Sequence, residues 1–128
     1  IEPALKKDFR YHIKQRGGMF AKGRLLGIQF ETLFTDGLYY EIGRHEVRLA
    51  QRLTQGLLER GYALYADSPT NQVFPILPKT LLNELSRSFG YAFWCAVDEQ
   101  NDAVRFCTSW ATPPEMIDAL LDSIPYKR

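Results

Sequence analysis

Three groups of residues in this chain have types and spacings that could do chemistry. The first is Gly17-Gly18, set among the bases Lys14, Arg16, Lys22 and Arg24. At the opening of a helix, free N–H groups and a partial positive charge attract an anion, and glycines let a phosphate approach the backbone. A plain turn between two solvated helices would have the same composition. The second is Arg105, in Ala103-Val104-Arg105-Phe106-Cys107-Thr108. Strand alternation puts Val104, Phe106 and Thr108 on one face, so Arg105 projects from the other near the strand's centre. A guanidinium fixed there is a forked donor for a carboxylate, or else a surface arginine on the solvated side of a sheet. The third is Ser68-Pro69-Thr70-Asn71-Gln72, whose side-chain amides could reach a ligand or could satisfy their own turn.

Other catalytic arrangements are excluded. His12 and His45 fall on separate predicted helices without an acidic and nucleophilic neighbour, so no triad can be built. Cys95 and Cys107 have no CxxC partner, and no zinc spacing exists. They are expected to be free, buried thiols, with a disulfide between neighbouring strands as the alternative. The chain contains no GxSxG, HExxH, Walker loop or GxGxxG motif.

The 128 residues fit one ordinary domain. A formal charge of +1 excludes a strongly basic nucleic-acid binder and an acidic tail as whole-chain readings, and 45% hydrophobic content excludes disorder. No apolar run approaches the roughly 20 residues of a bilayer span. The charge is uneven: residues 1–24 carry seven bases and two acids, a balance of +5, which leaves −4 for the rest. Ile1-Glu2-Pro3 has neither an initiator Met nor a signal-like apolar run, which raises the expectation of a fragment or processed product.

The elements that must position these residues follow from periodicity. Pro3 suits a first helical turn, with Leu5, Phe9, His12 and Ile13 at helical spacing until Gly17-Gly18. A second helix is expected from about Met19 to Phe34, with Leu26, Phe30, Leu33 and Phe34 on one stripe and Gly23 and Gly27 open to another backbone. A third runs from about Leu38 to Arg60 on Ile42, Leu49, Leu53 and Leu57, stopping at Gly61. The period then changes to two. Strands are expected at 62–65 and 71–77, the latter at an edge or bent because Pro75 lacks a donor. A helix over 79–88 closes at Gly90, and strands at 91–97 and 104–108 form a hairpin around 98–102. Thr112-Pro113-Pro114-Glu115 reads as a capping box opening a last helix, which buries Met116, Ile117, Leu120, Leu121 and Ile124. The fold class is α+β: a helical arm, then helices on a small, mostly antiparallel sheet.

Several of these stretches together resemble a known family. Asp8-Phe9-Arg10-Tyr11-His12-Ile13-Lys14-Gln15-Arg16-Gly17-Gly18-Met19, continuing through Ala21-Lys22-Gly23-Arg24 to Phe30, resembles the segment after the cofactor lysine of threonine aldolases and related β-eliminating lyases. Ser68-Pro69-Thr70-Asn71-Gln72-Val73-Phe74-Pro75 resembles the family's small-domain strand, and Val104-Arg105-Phe106-Cys107-Thr108-Ser109 resembles its arginine-bearing strand.

The resemblance implies the C-terminal part of a pyridoxal-phosphate enzyme of the aspartate-aminotransferase fold type. Residues 1–37 would be a helical arm leading to a missing large domain, and 38–128 a small α+β domain. The Schiff-base lysine would lie upstream of Ile1, so no catalytic residue is assigned here and the chain alone should be inactive. Arg105 would hold the substrate's α-carboxylate. The cofactor phosphate would fall to Lys22, Arg24 and Arg16, in that order, because Phe20 stands where many members have arginine. Ser109-Trp110-Ala111 likewise departs from the family's usual His and acidic residue. The implied protein is a cytoplasmic homodimer or homotetramer acting on a small amino acid, with no metal, nucleic acid or membrane partner. Its leading reaction is cleavage of threonine to glycine and acetaldehyde, with a tryptophanase-like elimination as runner-up. From the residues alone, the rival is a non-enzymatic binding module using the basic N-terminal helices, though these lack a stacking platform.

Overall fold

The computed structural model describes residues 2–127. The chain divides into two compact units between Tyr39 and Tyr40. In the first, a 3₁₀ turn at Pro3–Leu5 precedes α1 (Phe9–Gln15) and α2 (Gly23–Phe34). The first expected helix is thus broken: Asp8 takes a left-handed φ of 58°, which no continuous right-handed helix accommodates. α2 begins four residues later than expected, with Lys22 as its N-cap.

In the second unit α3 (Leu38–Glu59, its first two residues lying before the division) leads to β1 (Leu64–Ala66) and β2 (Gln72–Pro78). Next come α4 (Lys79–Leu85), β3 (Ala92–Ala96), β4 (Asn101–Cys107) and α5 (Pro114–Asp122). α3 stops at Gly61 as its sequence predicts. Gly61 has φ 84°, and the N–H groups of Gly61 and Tyr62 donate to Leu58 O and Leu57 O, closing a Schellman motif. Tyr62 is buried in the core rather than paired in β1, its hydroxyl donating to Pro125 O at 3.0 Å.

Among the described residues the sheet has the order β1-β2-β4-β3, antiparallel throughout. One face carries Val73, Pro75 and Leu77 from β2 and Val104 and Phe106 from β4. Onto it pack Leu49, Leu53 and Leu57 of α3, Leu81, Leu82 and Leu85 of α4, and Ile117, Leu120 and Leu121 of α5. Burying each such side chain contributes roughly 1.5–3 kcal/mol, so this single apolar layer holds the unit together. Of the stripe residues expected in this unit, Ile42 is only half-buried and lies outside this layer, and Met116 stays exposed.

Three local expectations are corrected. β2 is an interior strand, not an edge, and Pro75 is fully buried within it. Ile76 N–H donates to Ala63 O on the β1 side, so the donor missing at Pro75 faces β4. There the pairing register skips Phe74 and Pro75. The helix at the C-terminal end starts at Pro114 with no side-chain cap. Thr112 Oγ1 accepts the Ser109 N–H at 2.9 Å instead, so the capping box does not form. The two cysteines are free, but Cys95 is only half-buried and Cys107 is exposed.

The β3–β4 loop is organised by Asp98, whose Oδ1 accepts the N–H groups of Gln100 and Asn101 at 2.8 Å each. Hydrogen bonds from the Asn101 side chain and then the Gln100 backbone hold its carboxyl below the usual range. A depressed carboxyl contributes stability above its unfolded pKa and loses it as pH falls through the folded value. The stability difference between wild type and Asp98→Ala should therefore be full at neutral pH and narrow as pH drops below about 4, read by thermal melts. A second test lies in α3. A Cβ on Gly56 would sit 2.5 Å from Leu121 Cδ1, whereas one on Gly43 would meet nothing within 4 Å. Gly43→Ala should stabilise by about 0.5–1 kcal/mol through helix propensity. Gly56→Ala should lose that gain to overpacking of about 1–3 kcal/mol, so their melting temperatures should move in opposite directions.

Candidate functional site

Arg105 sits on β4, an interior strand bonded to β2 on one side and β3 on the other. Val104 and Phe106 are buried beside it, at 0% and 5% exposure, which fixes the strand's face and turns Arg105 to the other side of the sheet. Beyond them Thr108 is also buried. Its hydroxyl donates to Glu46 O of α3 at 2.7 Å, and its N–H donates to Asn71 O at 3.0 Å. Asn71 Nδ2 in turn donates to Thr108 O at 2.7 Å. This clasp fastens the start of β2 to the end of β4 and both to α3. His45 adds to it by donating Nε2–H to Thr112 O at 3.0 Å, a structural role.

Arg105 itself is half-buried. Its Nη1 donates to Gln72 Oε1 at 3.5 Å, the outer limit of a hydrogen bond, and its Nε is buried with no acceptor. Among the described residues no carboxylate pairs with it; the ion pairs run instead between Arg44 and Glu41, Arg52 and Asp118, and Lys79 and Asp102. A partly desolvated guanidinium with five donors and no counter-charge is costly unless an anion joins it. The arrangement can bind a carboxylate.

The same face carries Phe74, stacked edge-on against Trp94 at 5.0 Å. Trp94 lies where the β3 register slips between Phe93 and Cys95, a bulge of the kind that re-aims a side chain. The Cys95 thiol holds the Tyr65 phenol above its ordinary range. A mostly apolar cleft of about 270 Å³, lined by Leu53, Phe89, Phe106, Met116 and Leu120 among others, belongs to the helix side of the sheet and does not include Arg105.

The basic segment of the first unit is arranged differently from expectation. Gly17-Gly18 closes α1 and does not open α2. Gly17 has φ 73°, its N–H donates to Lys14 O at 3.0 Å, and Gly18 N–H donates to Ile13 O at 2.8 Å. Those two amides are spent in a Schellman motif and are not free for a phosphate. What remains for an anion is side-chain charge: Arg16 as the C-cap of α1, Lys22 as the N-cap of α2, and Arg24 in its first turn. All three are exposed, and none is in an ion pair among the described residues. That donor set fits a phosphate. No group of three or more His, Cys, Asp or Glu residues that could hold a metal occurs among the described residues.

The Ser68–Gln72 cluster takes the turn alternative, and its amides contact the protein itself. Thr70 N and Gln72 N donate to Ser68 Oγ and Thr70 Oγ1, a self-satisfied turn, while the Asn71 and Gln72 amides reach across to β4. The clasp and the Gln72 contact depend on register, and only the alternation of β4 pointed toward them in the sequence.

The architecture matches the C-terminal domain of pyridoxal-phosphate enzymes of fold type I. No family model matches the chain, and neither does any curated protein. Among solved structures it is similar to the threonine aldolase of Leishmania major, at 41% identity and a TM-score of 0.81 over 93% of this chain. The chain spans 35% of that protein's chain, and the similarity is consistent with the C-terminal part of a threonine aldolase.

Thr108→Val keeps the shape of the clasp residue and deletes its hydroxyl donor. Stability should fall by about 1–2 kcal/mol, measured by urea unfolding, since a buried hydrogen bond of this kind contributes on that order.

Proposed function

We propose that this chain is the C-terminal part of a pyridoxal-phosphate-dependent lyase acting at the β-carbon of a small amino acid, with threonine cleavage to glycine and acetaldehyde as its reaction. The observation that carries this reading is Arg105: a half-buried guanidinium on an interior strand, with an orphaned Nε and no carboxylate paired with it among the described residues. The relatedness to an enzyme named as a threonine aldolase supports the same conclusion.

Arg105 binds the α-carboxylate of the substrate and orients the molecule. A forked donor resists rotation of the carboxylate, so the Cα–Cβ bond to be broken keeps one direction relative to the cofactor ring. In the retro-aldol reaction that bond breaks, the β-hydroxyl loses its proton as the aldehyde forms, and Cα gains one. Pyridoxal phosphate, when bound, supplies the electron sink for the pair released at Cα. Lys22, Arg24 and Arg16 would hold its phosphate by charge. The lysine that carries the cofactor and the groups that move protons belong, by the family resemblance, to a large domain ahead of residue 1.

Residues 1–37 form the arm that leads to that domain, in a cytoplasmic homo-oligomer. No residue of α1 or α2 is buried within this chain, and Phe9, Leu26, Phe30 and Phe34 stand exposed, which suits packing on the large domain or a second subunit.

Arg105→Ala in the full-length protein should remove a charge-assisted contact of about 2–4 kcal/mol, lowering kcat/KM roughly 30- to 1000-fold. Arg105→Lys should rescue little, because the fork is lost while the charge remains. Cofactor absorbance should survive both changes. Wild-type kcat/KM in Arg105→Ala, with earlier unfolding, would make Arg105 a structural strand residue.

A further inference from the structure

We infer that Gln72 is a positioning residue for Arg105: a neutral acceptor that aims the guanidinium while leaving its charge free for the substrate carboxylate. The inference rests on the reading of Arg105 as the carboxylate-binding group. In the β2–β4 register Gln72 lies opposite Cys107, so Arg105, two residues back on β4, is its diagonal neighbour on the same face. Long side chains reach one another at that spacing. Gln72 Oε1 is the one acceptor that Arg105 finds among the described residues, at 3.5 Å from Nη1.

The chemistry of this neighbour decides what Arg105 can do. A carboxylate at position 72 would form a charge-assisted pair with the guanidinium and compete with any incoming carboxylate for it. An aliphatic side chain would leave the head group without an orienting partner. An amide oxygen orients it without neutralising it. Gln72 is itself well held. Its N–H donates to Thr70 Oγ1 at 3.2 Å, and the preceding Asn71 is clasped to Thr108 O at 2.7 Å. The strand that presents the acceptor is therefore tied to the strand that presents the arginine, and their relative placement is fixed before substrate arrives.

The test compares Gln72→Glu, Gln72→Leu and Arg105→Ala in the full-length, cofactor-loaded protein, with threonine as substrate and melting temperature measured alongside. Gln72→Glu should raise KM by about tenfold or more with kcat within about twofold, the pattern of lost substrate binding, and Gln72→Leu should raise KM several-fold. A strand residue of purely structural role would not produce that split. It would lower the melting temperature of both variants and leave KM in place, which would overturn the inference. So would wild-type KM in Gln72→Glu. If Arg105→Ala abolishes activity while both Gln72 variants keep wild-type KM, only the positioning role fails. If Arg105→Ala is also silent, the carboxylate-binding reading fails with it.

Discussion

A charge can be held at a fixed point on a protein surface only if the backbone beneath it cannot move, and β4 meets that condition on three sides. It is bonded to β2 and β3, sealed by Val104 and Phe106 against the helical layer, and clasped at its end by Thr108 to Asn71 and to α3. Arg105 stands on the remaining side. Two other features of the second unit bear on this placement: the leucines of α3, α4 and α5 give the sheet one dry face, and the β2–β4 register brings Gln72 diagonal to the arginine. Among the described residues no carboxylate pairs with this partly buried guanidinium, which leaves it open to an incoming anion.

The first unit obeys a different rule. α1 and α2 are short, bury nothing within the chain and present aromatic and aliphatic side chains to their surroundings. Isolated helices of seven and twelve residues gain little from their own hydrogen bonds. Their apolar faces are left exposed by the described residues, and the chain spans about a third of its structural relative's length.

Much of this was legible from residue order because the relevant signals are local. The alternation Val104-Arg105-Phe106 already assigned Arg105 to the face opposite the core, and Gly61 already marked the end of α3. What escaped depends on direction or on distant partners. The proline at position 75 removes a donor, but its sequence does not say toward which neighbour the donor would have pointed. It pointed toward β4, where the ladder tolerates a gap inside the sheet. Gly17-Gly18 could close one helix or open the next, and its amides are used in closing. Thr112 has the type of a helix cap, but Ser109 competes for its hydroxyl. Gln72 is a polar residue in a polar cluster until register sets it beside Arg105.

The central claim is that Arg105, which has no carboxylate partner among the described residues, binds the carboxylate of a small amino acid. A crystal structure of the full-length, cofactor-loaded protein with glycine bound tests it most directly. The account predicts carboxylate oxygens within about 3 Å of the Arg105 guanidinium nitrogens, with the Gln72 contact retained. Arg105 paired to an aspartate or glutamate of the protein, with the glycine carboxylate held by other residues, would contradict it.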